Sequence, residues 1–180
     1  MRKTTFLTLV VIMLLRAGTS AQTPGREFVT VDPVDPVTVR MGSSAPMQIT
    51  LHVQPGYHIN SNKPLTEELI PTQIHFTPPE DLVIAKVQYP AGVLTSFPFD
   101  PTTKLSVYSG NVTVKAAVLP APKAGAGTYT VHAEVKYQAC DNNACYPPKR
   151  VPVAFDVKIT SSSSKLPKAK PTRTSPHIHN

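Results

Sequence analysis

Cysteine is scarce in this sequence: its 180 residues contain two, Cys140 and Cys145. A framework of several disulfides is excluded, and a zinc site built on this pair would need two more ligands. His52, His58, His75 and His132 show no zinc-finger spacing around the cysteines. Copper needs fewer ligands, and Met41, Met47 and the histidines leave it open without pointing to it. Long apolar runs are equally few. The one present, Phe6 to Leu15, follows Arg2 and Lys3 and leads to Thr19-Ser20-Ala21, which is the pattern of a secretory signal over residues 1–21, cleaved after Ala21. A retained anchor would need roughly 18 apolar residues, and this run stops at Arg16. With no cysteine beside the cleavage site, no lipid anchor is implied there. The mature chain is expected outside the cytoplasm.

A basic face is also missing where nucleic acid would require one. The formal charge is +7, from 18 Lys and Arg against 11 Asp and Glu. Arg2, Lys3 and Arg16 lie in the leader, and Lys165, Lys168, Lys170 and Arg173 lie near the C-terminus. The body over residues 22–160 is then formally neutral, which argues against nucleic acid as a partner. Residues 161–180, rich in Ser, Pro and Lys with only Leu166 and Ile178 as large apolar side chains, read as a disordered basic tail. Long helices are excluded by 20 prolines, since each costs about 3 kcal/mol inside a helix. Only Leu65 to Leu69 hints at a helical turn, and no internal repeat is visible.

What the body does have is alternation, the period-2 signal of half-buried strands. Tyr129, Val131, Ala133, Val135 and Tyr137 fall on one face, and Val151, Val153, Phe155, Val157 and Ile159 repeat the pattern. Met47 to Val53 and Val112 to Val118 do the same, and shorter candidates are Phe28 to Val31, Ile74 to Phe76, Leu82 to Val87 and Leu105 to Tyr108. Seven to nine short strands in one domain predict an all-β, immunoglobulin-like β-sandwich of two antiparallel sheets, with a closed barrel as the alternative.

The two cysteines sit between the two best strands, in Gln138 to Arg150. Asp141, Asn142 and Asn143 are turn formers that let the chain reverse and bring the two Cβ atoms within bonding range. Export to an oxidising compartment favours the bond. Closing so short a loop removes only about 2 kcal/mol of unfolded-state entropy, against about 4 for loops of fifty or more residues. A structural staple is therefore a weak use of the bond. Redox function, a local staple and a metal site all remain open at this point.

The run Val135-Lys136-Tyr137-Gln138-Ala139-Cys140-Asp141-Asn142-Asn143-Ala144-Cys145-Tyr146-Pro147-Pro148 resembles the YQxC...CYPP signature of the N-terminal domain of the DsbD family, transmembrane thiol-disulfide interchange proteins. Gly56-Tyr57-His58-Ile59-Asn60, Leu69-Ile70-Pro71-Thr72 and Leu105 to Gly110 extend the resemblance over about residues 27–160. It implies an immunoglobulin-like domain of the bacterial periplasm that accepts electrons and passes them to oxidised thioredoxin-like proteins, disulfide isomerases and cytochrome-maturation proteins, acting as a protein-disulfide reductase without a cofactor. The sequence contains neither a membrane-spanning nor a thioredoxin-like part, so a separate membrane protein is the implied donor. Four residues separate the cysteines here, where five are familiar in the family.

The resemblance also implies roles. Cys145 would meet the partner and Cys140 would resolve the mixed disulfide. His58 and Asn60 correspond to positions beside the cysteines, where they would hydrogen-bond a thiolate, or else serve the strand alone. Phe97 or Phe99 would cap the disulfide, the alternative being two core phenylalanines in a proline-rich turn. Tyr137 and Tyr146 flank the pair and are expected to pack the loop. The main functional alternative is a secreted β-sandwich binding module with a structural disulfide, followed by a metal-delivery protein.

Overall fold

The computed structural model of the chain describes residues 27–161. The leader expected over residues 1–21 and the tail expected over 161–180, apart from Ser161, lie outside the described residues. Among the described residues there are twelve strands and no helix. One sheet carries β1 (Val29–Val31), β3 (Ala45–Val53), β9 (Asn111–Pro120) and β6 (Leu82–Gln88) in that order. A second carries β2 (Val37–Arg40), β12 (Lys149–Thr160), β10 (Gly127–Tyr137) and β5 (Gln73–Thr77).

These two sheets form the sandwich because each contributes one apolar face. Met47, Ile49, Leu51 and Val53 of β3 and Val112, Val114, Ala116 and Val118 of β9 are buried, as are Val131, Ala133, Val135 and Tyr137 of β10 and Val153, Phe155, Val157 and Ile159 of β12. All of them belong to one contiguous core. Each large apolar side chain so buried contributes about 1.5–3 kcal/mol. The fold is all-β and immunoglobulin-like, as the alternation predicts. β10 and β12 pair antiparallel from Gly127↔Ile159 to Tyr137↔Lys149, so the loop that holds the cysteines is anchored at its base by the longest ladder among the described residues.

The structure departs from the expected pair of purely antiparallel sheets in two ways. β2 runs parallel to β12, from Val37↔Val157 to Arg40↔Thr160. There is also a third, small sheet in the order β11 (Ala139–Cys140), β4 (His58–Asn60), β8 (Asp100–Tyr108) and β7 (Val93–Phe97). Two- and three-residue strands are too short to show a period. In β4, moreover, His58, Ile59 and Asn60 are all buried, so there is no alternation to read. Leu65 to Leu69 forms a turn and bends, not a helical turn. Leu65 is 56% exposed, and with Thr66, Glu67 and Glu68 exposed as well the segment has no apolar stripe to bury.

One tight turn sets the position of β4. The Tyr57 N–H donates to the Gln54 carbonyl at 3.1 Å, and Gly56 has φ 83°. Pro55 followed by a glycine at positive φ is the sequence of a type II turn, in which the proline is already at its favoured φ and only glycine meets no Cβ penalty at the next position. The chain thus leaves β3 and enters Tyr57-His58 in a set direction, beneath the cysteine loop.

Candidate functional site

The site begins where the chain changes sheet. After Tyr137 it steps through Gln138 into β11, which pairs with β4 in the register Ala139↔Ile59 and Cys140↔His58. It then reverses. The Asp141 carboxylate oxygen Oδ1 accepts the backbone N–H groups of Asn143 (2.7 Å) and Ala144 (2.9 Å). The Asp141 N–H donates to the Ala144 carbonyl at 2.9 Å, and the Tyr146 N–H to the Ala139 carbonyl at 2.8 Å. The reversal places Cys145 opposite Cys140 as an antiparallel pair. The two are joined by a disulfide with a Cα–Cα separation of 3.9 Å.

The two bonded cysteines are not equivalent. Cys140, on the strand covered by β4, is 0% exposed, whereas Cys145, on the returning arm, is exposed. The expectation that both thiols are exposed on the loop is thus corrected: Cys140 is covered, and only Cys145 is an exposed residue. The difference follows from β11 entering the third sheet while residues 141–145 lie beyond its edge.

Tyr146 and Tyr137 hold this arrangement in different ways. The Tyr146 hydroxyl donates to Asp141 Oδ2 at 2.7 Å, and its ring packs on Phe28 at 4.6 Å and Tyr57 at 6.0 Å. Tyr137 is buried in the core beneath the loop. Gln138 ties the loop to β4: its Nε2 donates to the Tyr146 carbonyl (3.2 Å) and its Oε1 accepts from Asn60 Nδ2 (3.3 Å). Gln138, Phe28 and Tyr57 are absent from the expected site. Gln138 was visible as part of the YQxC run, but its partners and the aromatic pair come from distant segments that no local spacing connects.

The Tyr146 hydroxyl, and after it the N–H groups of Asn143 and Ala144, hold the Asp141 carboxyl below its ordinary value of 3.8. A carboxyl depressed in the folded state supports the loop at all pH values above that ordinary value and loses its grip only as pH falls through the lower, folded one. The amide proton shifts of Asn143 and Ala144 should accordingly titrate with a midpoint below 3.8. A midpoint at or above that value would mean that the clamp does not hold the carboxylate.

Of the two expected β4 residues, His58 is brought opposite Cys140 and Asn60 beside Gln138. His58 is 3% exposed and lies directly across from Cys140. The Phe97 ring stacks on its imidazole at 3.8 Å and 14°, and Phe99 stacks on Phe97 at 5.6 Å. Phe97 and Asp100 close a two-residue hairpin turn, Pro98-Phe99. Its first phenylalanine is 8% exposed and its second 42% exposed, so the three rings run from the buried histidine to solvent. Burial pushes the His58 pKa down, against the opposing pull of Asp141. Asn60 Nδ2 also donates to the Ile70 carbonyl at 3.0 Å, and the Asn60 carbonyl accepts the Thr72 hydroxyl at 2.6 Å. Two atoms here, His58 Nε2 and Asn60 Oδ1, are buried without a hydrogen-bond partner among the described residues. Such a group costs about 1–3 kcal/mol.

Among the described residues, no group of three or more His, Cys, Asp or Glu side chains gathers as a metal site would. His52 is engaged on the first sheet, its ring bonding Asp32 at 2.7 Å and Asn111 at 2.8 Å.

Comparison with known proteins identifies a family. No curated protein sequence matches the chain. Among solved structures it is similar to the DsbD N-terminal domain of Neisseria meningitidis in its reduced form, with 22% identity, 62% of this chain and 75% of that one covered, and a TM-score of 0.38. The N-terminal periplasmic domain of ScsB from Proteus mirabilis is 14% identical, with 75% of this chain and 49% of that one covered and a TM-score of 0.46; the chain thus spans about half of its length. A type I cohesin of ScaB from Pseudobacteroides cellulosolvens shares 11% identity over 85% of this chain and 97% of its own, at a TM-score of 0.46. The sequence model of one family, the N-terminal region of the thiol:disulfide interchange protein DsbD, matches residues 25–156. That span holds both cysteines and most of the sandwich, and on it the chain belongs to the DsbD N-terminal domain family.

Proposed function

We propose that the chain is a periplasmic relay for thiol-disulfide exchange. It takes electron pairs from a separate membrane protein and hands them, through Cys140 and Cys145, to oxidised thioredoxin-like or disulfide-isomerase proteins. The observation that carries this reading is the inequality of the bonded pair: one cysteine exposed to a partner, the other buried behind it. Exchange runs through a mixed disulfide, so a relay needs one sulfur that a partner can reach and a second close enough to resolve the adduct.

To load the relay, a donor thiolate attacks the Cys145 sulfur and the Cys140–Cys145 bond breaks, leaving Cys140 with the electron pair. The donor's second thiol then attacks its own bridged sulfur and releases Cys145 reduced. Delivery is the reverse sequence: Cys145 attacks the acceptor's disulfide, and Cys140 then attacks Cys145 to reform the bond and free the acceptor as a dithiol. In the waiting state, the hairpin bearing Phe97 and Phe99 covers His58, the cross-strand partner of Cys140. The chemistry calls for neither metal nor cofactor.

The reduction potential tests this reading against a structural staple. Equilibrated with glutathione or dithiothreitol buffers, the pair is expected to behave as a reversible two-electron couple well above about −300 mV, the region below which structural disulfides lie. A bond that stayed closed throughout such buffers would assign the loop a purely structural role and leave a binding module as the reading.

A further inference from the structure

We propose that His58 is the proton acceptor that makes Cys140 a nucleophile when the pair recloses, an inference that rests on the exchange function above. The need for such a group follows from burial. The nucleophile in exchange is the thiolate, and a thiol enclosed as Cys140 is, at 0% exposure, ionises reluctantly without help. Water has poor access to take its proton.

The register puts a base in the right place. Cys140 and His58 are direct partners across the antiparallel β11–β4 pair, and residues so opposed project from the same face with Cβ atoms about 4.5–5.5 Å apart. His58 Nε2 is buried without a partner, and so is Asn60 Oδ1, two residues further along β4 and hence on the same face. The Asn60 amide is oriented by its Nδ2, which donates to the Ile70 carbonyl and to Gln138 Oε1. With the neutral ring protonated at Nδ1, His58 Nε2 and Asn60 Oδ1 are two buried acceptors for which the described residues offer no donor. Reduction creates one donor nearby, the Cys140 S–H.

The surroundings keep the imidazole able to accept. Burial favours its neutral form, and the charged group acting on it is Asp141, itself held by the Tyr146 hydroxyl and two backbone N–H groups. From β7 the neighbour is Phe97, which carries no charge. β8, on the other side of β4, places Val107 and Tyr108 there, and the Tyr108 hydroxyl is committed to the Pro90 carbonyl and Asn62. An imidazolium formed during the step faces the Asp141 carboxylate as its counter-charge. In that step the Cys140 proton passes to His58 Nε2, the Cys140 sulfur bonds to Cys145, the bond from Cys145 to the partner breaks, and the partner leaves as a thiolate. The dithiol loses two electrons and the partner disulfide gains them; the proton then returns to solvent or to the released thiolate.

The test is rapid mixing of the reduced protein with the aromatic disulfide 5,5′-dithiobis(2-nitrobenzoate), whose thiolate product is coloured. The first phase, attack by Cys145, depends on reagent concentration; the second, attack by Cys140 on the Cys145 adduct, does not. His58→Gln should leave the first phase unchanged and slow the second about 100-fold near neutral pH, a usual size for general-base assistance. The pH profile of the second phase should also move up, to or beyond the ordinary thiol value of about 8.5. His58→Phe keeps a ring on Phe97 while removing the nitrogen, so it separates loss of the base from loss of the stack and should behave like His58→Gln. Folded variants whose second phase keeps the wild-type rate and profile would overturn the role of His58. Absence of any second phase in the wild-type protein would overturn the relay itself, and His58's part with it.

Discussion

Cys145→Ser is expected to reduce exchange with any partner dithiol to background while leaving the sandwich folded. The substitution removes the sulfur of the exposed cysteine and opens a covalent loop whose ends are five residues apart. Loss of so short a cross-link costs only about 2 kcal/mol, against a core that runs across both large sheets. The loop also keeps non-covalent ties: the Asp141 clamp, the Tyr146 N–H to Ala139 bond and the Gln138 bridge. Cys140→Ser should behave differently, because Cys145 can still attack but nothing resolves the adduct. Mixed disulfides with partner proteins should then accumulate, to be seen by non-reducing electrophoresis and mass spectrometry. If Cys145→Ser instead prevented folding, or if Cys140→Ser trapped nothing, the disulfide would be a staple and the exchange reading would fall.

Phe97→Ala is expected to have the second largest effect, and on two quantities at once. Phe97 is nearly buried between His58 and Phe99, so its truncation should destabilise the fold by roughly 3 kcal/mol, the lower end for a buried phenylalanine, measured by urea unfolding. It also deletes both ring contacts of the stack, each worth about 0.5–1.5 kcal/mol beyond its area. At 1.4 kcal/mol per factor of ten, alkylation of Cys140, the covered member of the reduced pair, should quicken about tenfold or more. Phe99→Ala removes only the outer contact, from a ring already 42% exposed, and should give a smaller acceleration. Equal alkylation rates in Phe97→Ala and the parent would show that the hairpin fills space without guarding the pair.

The contrast between these two predictions reflects how each residue was legible. Cys140 and Cys145 declare themselves in the chain: two cysteines, a turn sequence between them and a flanking YQxC...CYPP run. Phe97 and Phe99 could be named as alternatives for one role, but their order could not. The structure makes Phe97 the ring against His58 and Phe99 the ring toward solvent, because Pro98-Phe99 forms the tip of a hairpin while Phe97 pairs at its base. His58 and Asn60 were likewise named without their environment. Nothing near residue 58 in sequence states that residue 140 lies opposite it.

The sequence by itself determined the strand-rich class, the four long core strands and the presence of a closable cysteine pair. These depend on interactions that repeat every second residue or lie within a few residues of one another, so they are written locally. Only the tertiary structure decided that a third sheet exists, that β2 runs parallel to β12, that Cys140 is covered while Cys145 is open, and that an imidazole whose Nε2 has no hydrogen-bond partner among the described residues lies across from the covered one. Each of these is settled by contacts between segments tens of residues apart, through strands of two to four residues. Such strands are too short to carry a pattern of their own and take their place from the sheets already formed around them.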